Sequence, residues 1–133
     1  ELQPYTKDIL HIIGMVLGEV PNKIGISGHT DATPYSSDAG YSNWELSADR
    51  ANASRREMVL GGLADEKILR VVGLASAANL DAKDPSNPIN RRISIIVMNK
   101  RTEDAVRRDN ATLDVPAEDA QAAADATLEA VRK

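Results

Sequence analysis

Asp31 closes the block Gly28-His29-Thr30-Asp31, and Arg50 stands late in the block Asn43-Trp44-Glu45-Leu46-Ser47-Ala48-Asp49-Arg50-Ala51. A third block, Asn90-Arg91-Arg92, follows downstream. An arginine offers five N–H donors in a planar fork that grips a carboxylate through two parallel bonds, and an aspartate accepts from an ammonium. Brought together, the two side chains would receive a group that carries both charges. Each also has a plainer reading. Asp31 could cap backbone N–H groups in a turn, and Arg50 could pair with Glu57, Asp49 or Asp31 at the surface. Asn90-Arg91-Arg92 could simply flank a hydrophobic strand and protect it from association.

The two histidines, His11 and His29, do not assemble a metal or hydrolytic site. Zinc takes three or four ligands, and His11 has no acidic neighbour at a ligand spacing. Ser27 precedes His29 by two residues on a strand and so shares its face, but no nucleophile elbow or oxyanion pattern accompanies it. His29 is expected to shape the turn. No catalytic residue, metal or cofactor is predicted.

The elements that must position Asp31 and Arg50 are legible from periodicity. Pro4 suits a first helical turn, and Ile9, Ile12, Ile13, Val16 and Leu17 recur at helical spacing up to Gly18, with a stop at Pro21. Lys23-Ile24-Gly25-Ile26-Ser27 alternates and runs into Gly28, which reads as a short strand entering a tight turn with the motif at its end. Residues 32–42, with Pro34, Ser36, Ser37 and Gly40, read as a polar loop ending in the capping box Ser42-x-x-Glu45. A second helix is therefore predicted from Asn43 to about Leu60, before Gly61-Gly62. On that helix Asn43, Leu46, Ser47, Arg50 and Ser54 share one ridge, which would face a ligand. Trp44, Ala48, Ala51 and Met58 lie about a quarter turn away and would pack. The helix N-terminus, with its partial positive charge, would favour a carboxylate nearby. Ile68 to Val72 predicts a second strand, and Ile93, Ile95 and Val97 a third, across a loop from Ala75 to Asn90.

Composition sets the frame. The 133 residues contain no cysteine and no phenylalanine, which excludes a disulfide scaffold and a thiol enzyme. Residues 1–100 hold 11 Lys/Arg against 12 Asp/Glu and residues 101–133 hold 5 against 8, so the acidity sits in the last quarter. A near-neutral body without a basic stripe offers nothing to nucleic acid. No apolar run approaches the roughly 20 residues of a membrane span. From Arg101 onward nine alanines and many charges lack an apolar stripe, Pro116 breaks any continuous helix, and Ala117 to Arg132 is at most weakly helical. The reading is a domain over 1–100 and a mobile, acidic tail over 101–133.

The three blocks, in order across about half the chain, resemble the peptidoglycan-binding signature of the OmpA-like domain family. The wording from Tyr41 to Ala51 is most similar to the flagellar-motor stator members of that family. The resemblance implies an α/β sandwich of βαβαββ order with a mixed sheet and helices on one face. Its first strand would precede Glu1, as would a single membrane span, so that the chain would be a periplasmic domain of an inner-membrane protein in a Gram-negative bacterium. It implies non-catalytic binding of diaminopimelate in the peptidoglycan stem peptide, with Asp31 and Arg50 as the pair for its ammonium and carboxylate. Asn43 and Leu46 would flank the ligand, Arg92 would be the arginine of the C-terminal block, and Thr30 and Ser47 would add contacts. The implied partners are peptidoglycan, a second copy of the chain in a homodimer, and an inner-membrane ion-channel subunit of the stator. The alternatives are an anchor between outer membrane and wall, and a wall amidase or peptidase. Two departures from the family pattern stand out: a long loop between Asp31 and Asn43 carrying Pro34-Tyr35, and the segment Leu74-Ala75-Ser76-Ala77-Ala78 in place of a Gly-x-Gly.

Overall fold

The computed structural model describes residues 2–34, 40–107 and 120–132; Tyr35, Ser36, Ser37 and the expected break at Pro116 lie outside the described residues. Contacts divide the chain into two units, Glu1–Lys100 and Arg101–Lys133. The first runs α1 (Pro4–Leu17), β1 (Lys23–His29), α2 (Asn43–Gly61), β2 (Ile68–Gly73) and β3 (Arg92–Met98), with single 3-10 turns at Asp65–Lys67 and Pro88–Asn90. The sheet order is β2-β1-β3, with β1 parallel to β2 and antiparallel to β3. This is the mixed-sheet α/β arrangement expected, without a strand ahead of α1 among the described residues. In the second unit α3 (Lys100–Arg107) begins at the boundary and carries an i,i+4 ion pair between Glu103 and Arg107 at 3.2 Å. Helix α4 spans Ala120–Arg132, and its Leu128 and Val131 are exposed.

Strand alternation builds the core. Ile24 and Ile26 on β1 are fully buried, and the register sets Ile26 between Val71 and Ile95, and Ile24 beside Ile68 and Val97. Ile24, Ile26 and their neighbours Ile68, Val71 and Ile95 face Leu10 of α1, Ala51 and Met58 of α2, and Leu63. Burying each large aliphatic side chain contributes about 1.5–3 kcal/mol. On β3 the residues Ile96 and Val97 are exposed, and no described strand pairs with its outer edge.

Two expectations need correction. Gly28 does not open a turn; β1 continues through it to His29. The ridge of α2 that buries itself is Ser47, Ala51, Ser54 and Met58, whereas Trp44 is 55% exposed. Small residues at these positions let the helix backbone settle onto the sheet. A Cβ built on Gly28 would lie 2.0 Å from the Ser47 carbonyl oxygen, and one on Gly73 would lie 2.5 Å from the Ala48 amide nitrogen. Glycine is therefore required for close approach, not for an unusual φ. The start of α2 is set as expected: the Ser42 hydroxyl accepts from Trp44 N–H at 3.2 Å, and Glu45 accepts from the Ser42 N–H at 2.7 Å.

Gly28→Ala should therefore lose stability by about 1–3 kcal/mol, the usual cost of overpacking, because the whole helix must move to admit one methyl. Urea unfolding midpoints measure this, and an unchanged midpoint would show that α2 does not rest on the strand as described.

Candidate ligand-binding site

The strand end and the helix start meet at a hollow of about 240 Å³. It is lined by Thr30 and Asp31 after β1, by Asn43, Leu46 and Arg50 on α2, and by Arg91 at the head of β3. Five of the seven residues singled out from the sequence therefore converge. The Asp31 side chain is 11% exposed. Its Oδ1 accepts from the Thr33 N–H at 3.0 Å, and the Asn43 side-chain amide donates to the carbonyls of Asp31 (3.4 Å) and Thr33 (3.0 Å). The loop is thus tied to the first turn of α2 and holds the carboxylate still. A further tie comes from Ala32, whose N–H donates to the Pro85 carbonyl at 2.8 Å.

Arg50 makes no side-chain bond to Asp31, Asp49, Glu57 or any other described residue. Asp31 pairs instead with Arg91, Nε to Oδ2 at 3.3 Å, while Asp49 accepts from the Tyr41 hydroxyl and Glu57 pairs with His11. The surface ion pair considered for Arg50 is absent among the described residues. A guanidinium without a counter-ion, beside a nearly buried carboxylate, leaves donors available to an incoming anion.

Ser47 and Arg92 do not belong to this hollow. Ser47 is fully buried, its Oγ donating to the Trp44 carbonyl at 3.0 Å and accepting from the Ala75 N–H at 3.0 Å. It braces α2 against the exit of β2, where Ala75 adopts φ 48 and its carbonyl accepts from Thr30 N–H at 2.8 Å. Arg92 lines a neighbouring groove of about 520 Å³, together with His29 and the apolar side chains of α1 and β3, and its Nη2 donates to the Ala78 carbonyl at 3.0 Å. Arg91, just ahead of β3, lines both spaces and pairs with Asp31, whereas Arg92 lines the groove alone. The sequence alone does not say which of the two meets Asp31.

Sequence reasoning also passed over Asn90. It is fully buried, accepts from the Asp81 N–H at 2.7 Å, and sets its amide within reach of the carbonyls of Asp81, Asp84 and Pro85. Through Pro85 it reaches Ala32, beside Asp31. Its position in the Asn-Arg-Arg block was the only signal, since a buried asparagine organising a loop leaves no periodicity.

A mixed three-stranded sheet packed against two helices, with a hollow that bears one carboxylate and two guanidiniums among the described residues, defines a small α/β domain. The chain belongs to the OmpA family, whose model matches residues 1–92. It is 54% identical over 112 residues to Motility protein B of Escherichia coli K12, covering 84% of this chain and 36% of that protein. It is 39% identical over 106 residues to a putative flagellar export/assembly protein, LafU, of Escherichia coli O44:H18, covering 80% of this chain and 34% of that one. The chain thus spans about a third of the length of these relatives. Among solved structures, the C-terminal domain of Helicobacter pylori MotB superposes with a TM-score of 0.68 at 18% identity, over 80% of this chain and 83% of that one. The cell wall anchor of the T6SS from Pseudomonas aeruginosa gives 0.59 at 24%, over 73% and 68%. Both share the fold.

His29 stands at the seam between hollow and groove and is 5% exposed, with Nδ1 buried and without a partner. Burial, and then the positive charge of Arg92, lower its pKa from the ordinary 6.5. The unfolded chain therefore binds a proton at a pH where the folded chain still resists it, and stability from this residue is lost as pH falls below about 6.5. His29→Asn should lose less stability than the parent between pH 7 and pH 5. Parallel declines of the two urea midpoints would show that His29 does not titrate against folding.

Proposed function

We propose that the domain binds peptidoglycan without chemistry, taking the diaminopimelate of the stem peptide in the hollow, with the carboxylate on the Arg50 fork and the ammonium on Asp31. The observation that carries this reading is the uncompensated Arg50 guanidinium next to a fixed, nearly buried Asp31. A site built for a group of both charges needs one half of each kind held open, and Asp31 retains acceptor capacity beyond Thr33 and Arg91. Asn43 and Leu46 wall the ligand, and Thr30, whose Oγ1 is buried without a partner, gains one when the hollow fills. Among the described residues nothing lining the hollow resembles an activated nucleophile, which favours an anchor over an amidase or peptidase.

The likeness to Motility protein B supports a more particular role, the wall anchor of a flagellar stator. In that role the domain lies in the periplasm and a separate segment of the protein spans the inner membrane; no described helix is long and apolar enough to do so. A homodimer beside an ion-channel subunit would multiply weak wall contacts into firm retention. Residues 101–133 then form an appendage dispensable for wall binding.

Sedimentation with purified sacculi tests the binding reading. Truncating one charged partner at a partly desolvated site costs about 2–4 kcal/mol, so Arg50→Ala and Asp31→Ala should each weaken binding by tens to hundreds of fold while the domain stays folded. Arg50→Lys should recover little, since an ammonium keeps the charge and loses the fork. Wild-type retention by Arg50→Ala would place the site elsewhere.

A further inference from the structure

The charges of the hollow do not match a simple zwitterion. Among the described residues Arg50 and Arg91 face Asp31 alone, so that lining carries one excess positive charge. Both arginines also line the adjoining groove and therefore stand as the wall between the two spaces. On the groove side the further charged neighbour among the described residues is Arg92, whose Nη1 is buried and lacks a partner, and His29 beside it is kept neutral by burial and by that charge. On the far flank of Arg50, Asp49 and Arg56 line a shallow depression and cancel one another in charge. Arg91 spends only its Nε on Asp31, and its side chain is 53% exposed, which leaves the rest of its fork free to reach a second anion.

Resting on the peptidoglycan reading above, we propose that this site selects a head bearing two carboxylates and one ammonium, with Arg91 as the specificity-determining residue for the second carboxylate. One carboxylate lies on Arg50, the ammonium on Asp31, and the other carboxylate on Arg91 toward the groove. A neutral zwitterion would leave a guanidinium uncompensated in a partly desolvated space, whereas a diacid amine closes the balance. In a stem peptide this head exists where diaminopimelate is the last residue. Its acylated carbon then carries a free carboxylate, which becomes an amide as soon as another residue follows. The domain would thereby prefer stem peptides trimmed to diaminopimelate over longer ones.

The test uses the full chain and two synthetic ligands measured by calorimetry. One is the tripeptide alanyl-γ-glutamyl-diaminopimelate with both diaminopimelate carboxylates free, and the other is the same peptide with the carboxylate on the acylated carbon converted to a carboxamide. Wild type should bind the diacid about tenfold more tightly than the amide, the scale of one lost charge-assisted contact. Arg91→Gln should erase that preference by weakening the diacid about tenfold while leaving the amide as it was or slightly stronger, since Asp31 is released. Arg91→Lys should keep part of the preference. Equal binding of both ligands by wild type, or an equal loss of both in Arg91→Gln, would overturn the two-carboxylate assignment while leaving the peptidoglycan reading standing. Failure of wild type to bind either peptide would overturn both.

Discussion

Helix α2 lies on the sheet backbone to backbone, and the placement of every side chain in the hollow follows from that contact. Gly28 and Gly73 remove the two methyl groups that would hold the helix off, and Ser47 hydrogen-bonds across the gap to Ala75. Because a helix is stiff, fixing Ser47 and Ala51 also fixes Leu46 and Arg50 beside them and Asn43 one turn earlier. Asn43 then returns the favour by holding the carbonyls of Asp31 and Thr33. Distances within the site are thus set by the packing of small residues rather than by the charged groups themselves. This suits a receptor, since charged groups that positioned one another would be consumed in doing so.

The electrostatics show the same economy. Asp31 is the one carboxylate lining the hollow among the described residues, and it keeps acceptor capacity while engaged by Thr33 and Arg91. Arg50 has no counter-ion among the described residues, and buried polar atoms of His29, Thr30 and Arg92 go without partners. Each such atom costs about 1–3 kcal/mol in the folded chain. Three of the four such atoms among the described residues gather where β1 ends and β3 begins, and the fourth is Oδ1 of Asn79 in the loop between β2 and β3.

Much of this was legible in the residues. The helical spacing of α1, the alternation of β1 and β3, and the Ser42-Glu45 box gave elements whose bounds agree with the structure to within a residue or two, because each is a local rule of periodicity or capping. Asp31, Asn43, Leu46 and Arg50 were also within reach, since a strand end and a capped helix start bring them together once the two elements pack. Thr30 came only with the family resemblance. The resemblance to the OmpA family then attached a ligand class that no spacing rule supplies.

Which side chain faces which neighbour was settled in three dimensions. Ser47 and Ser54 looked like members of a polar, ligand-facing ridge, yet they are buried, because serine is small enough for close helix-on-sheet contact and can satisfy its hydroxyl on the helix's own carbonyls. Trp44 looked like packing and is exposed for the opposite reason, since its bulk cannot fit where the backbones touch. Arg91 rather than Arg92 met Asp31, because Arg92 enters the pairing of β3 opposite His29 while Arg91 stays in the turn ahead of the strand. Asn90 became visible only when a loop distant in sequence closed around it. Local chemistry is written in local spacing and so can be read from the chain. The orientation of a side chain depends on what packs against it, and that is decided only when the elements come together.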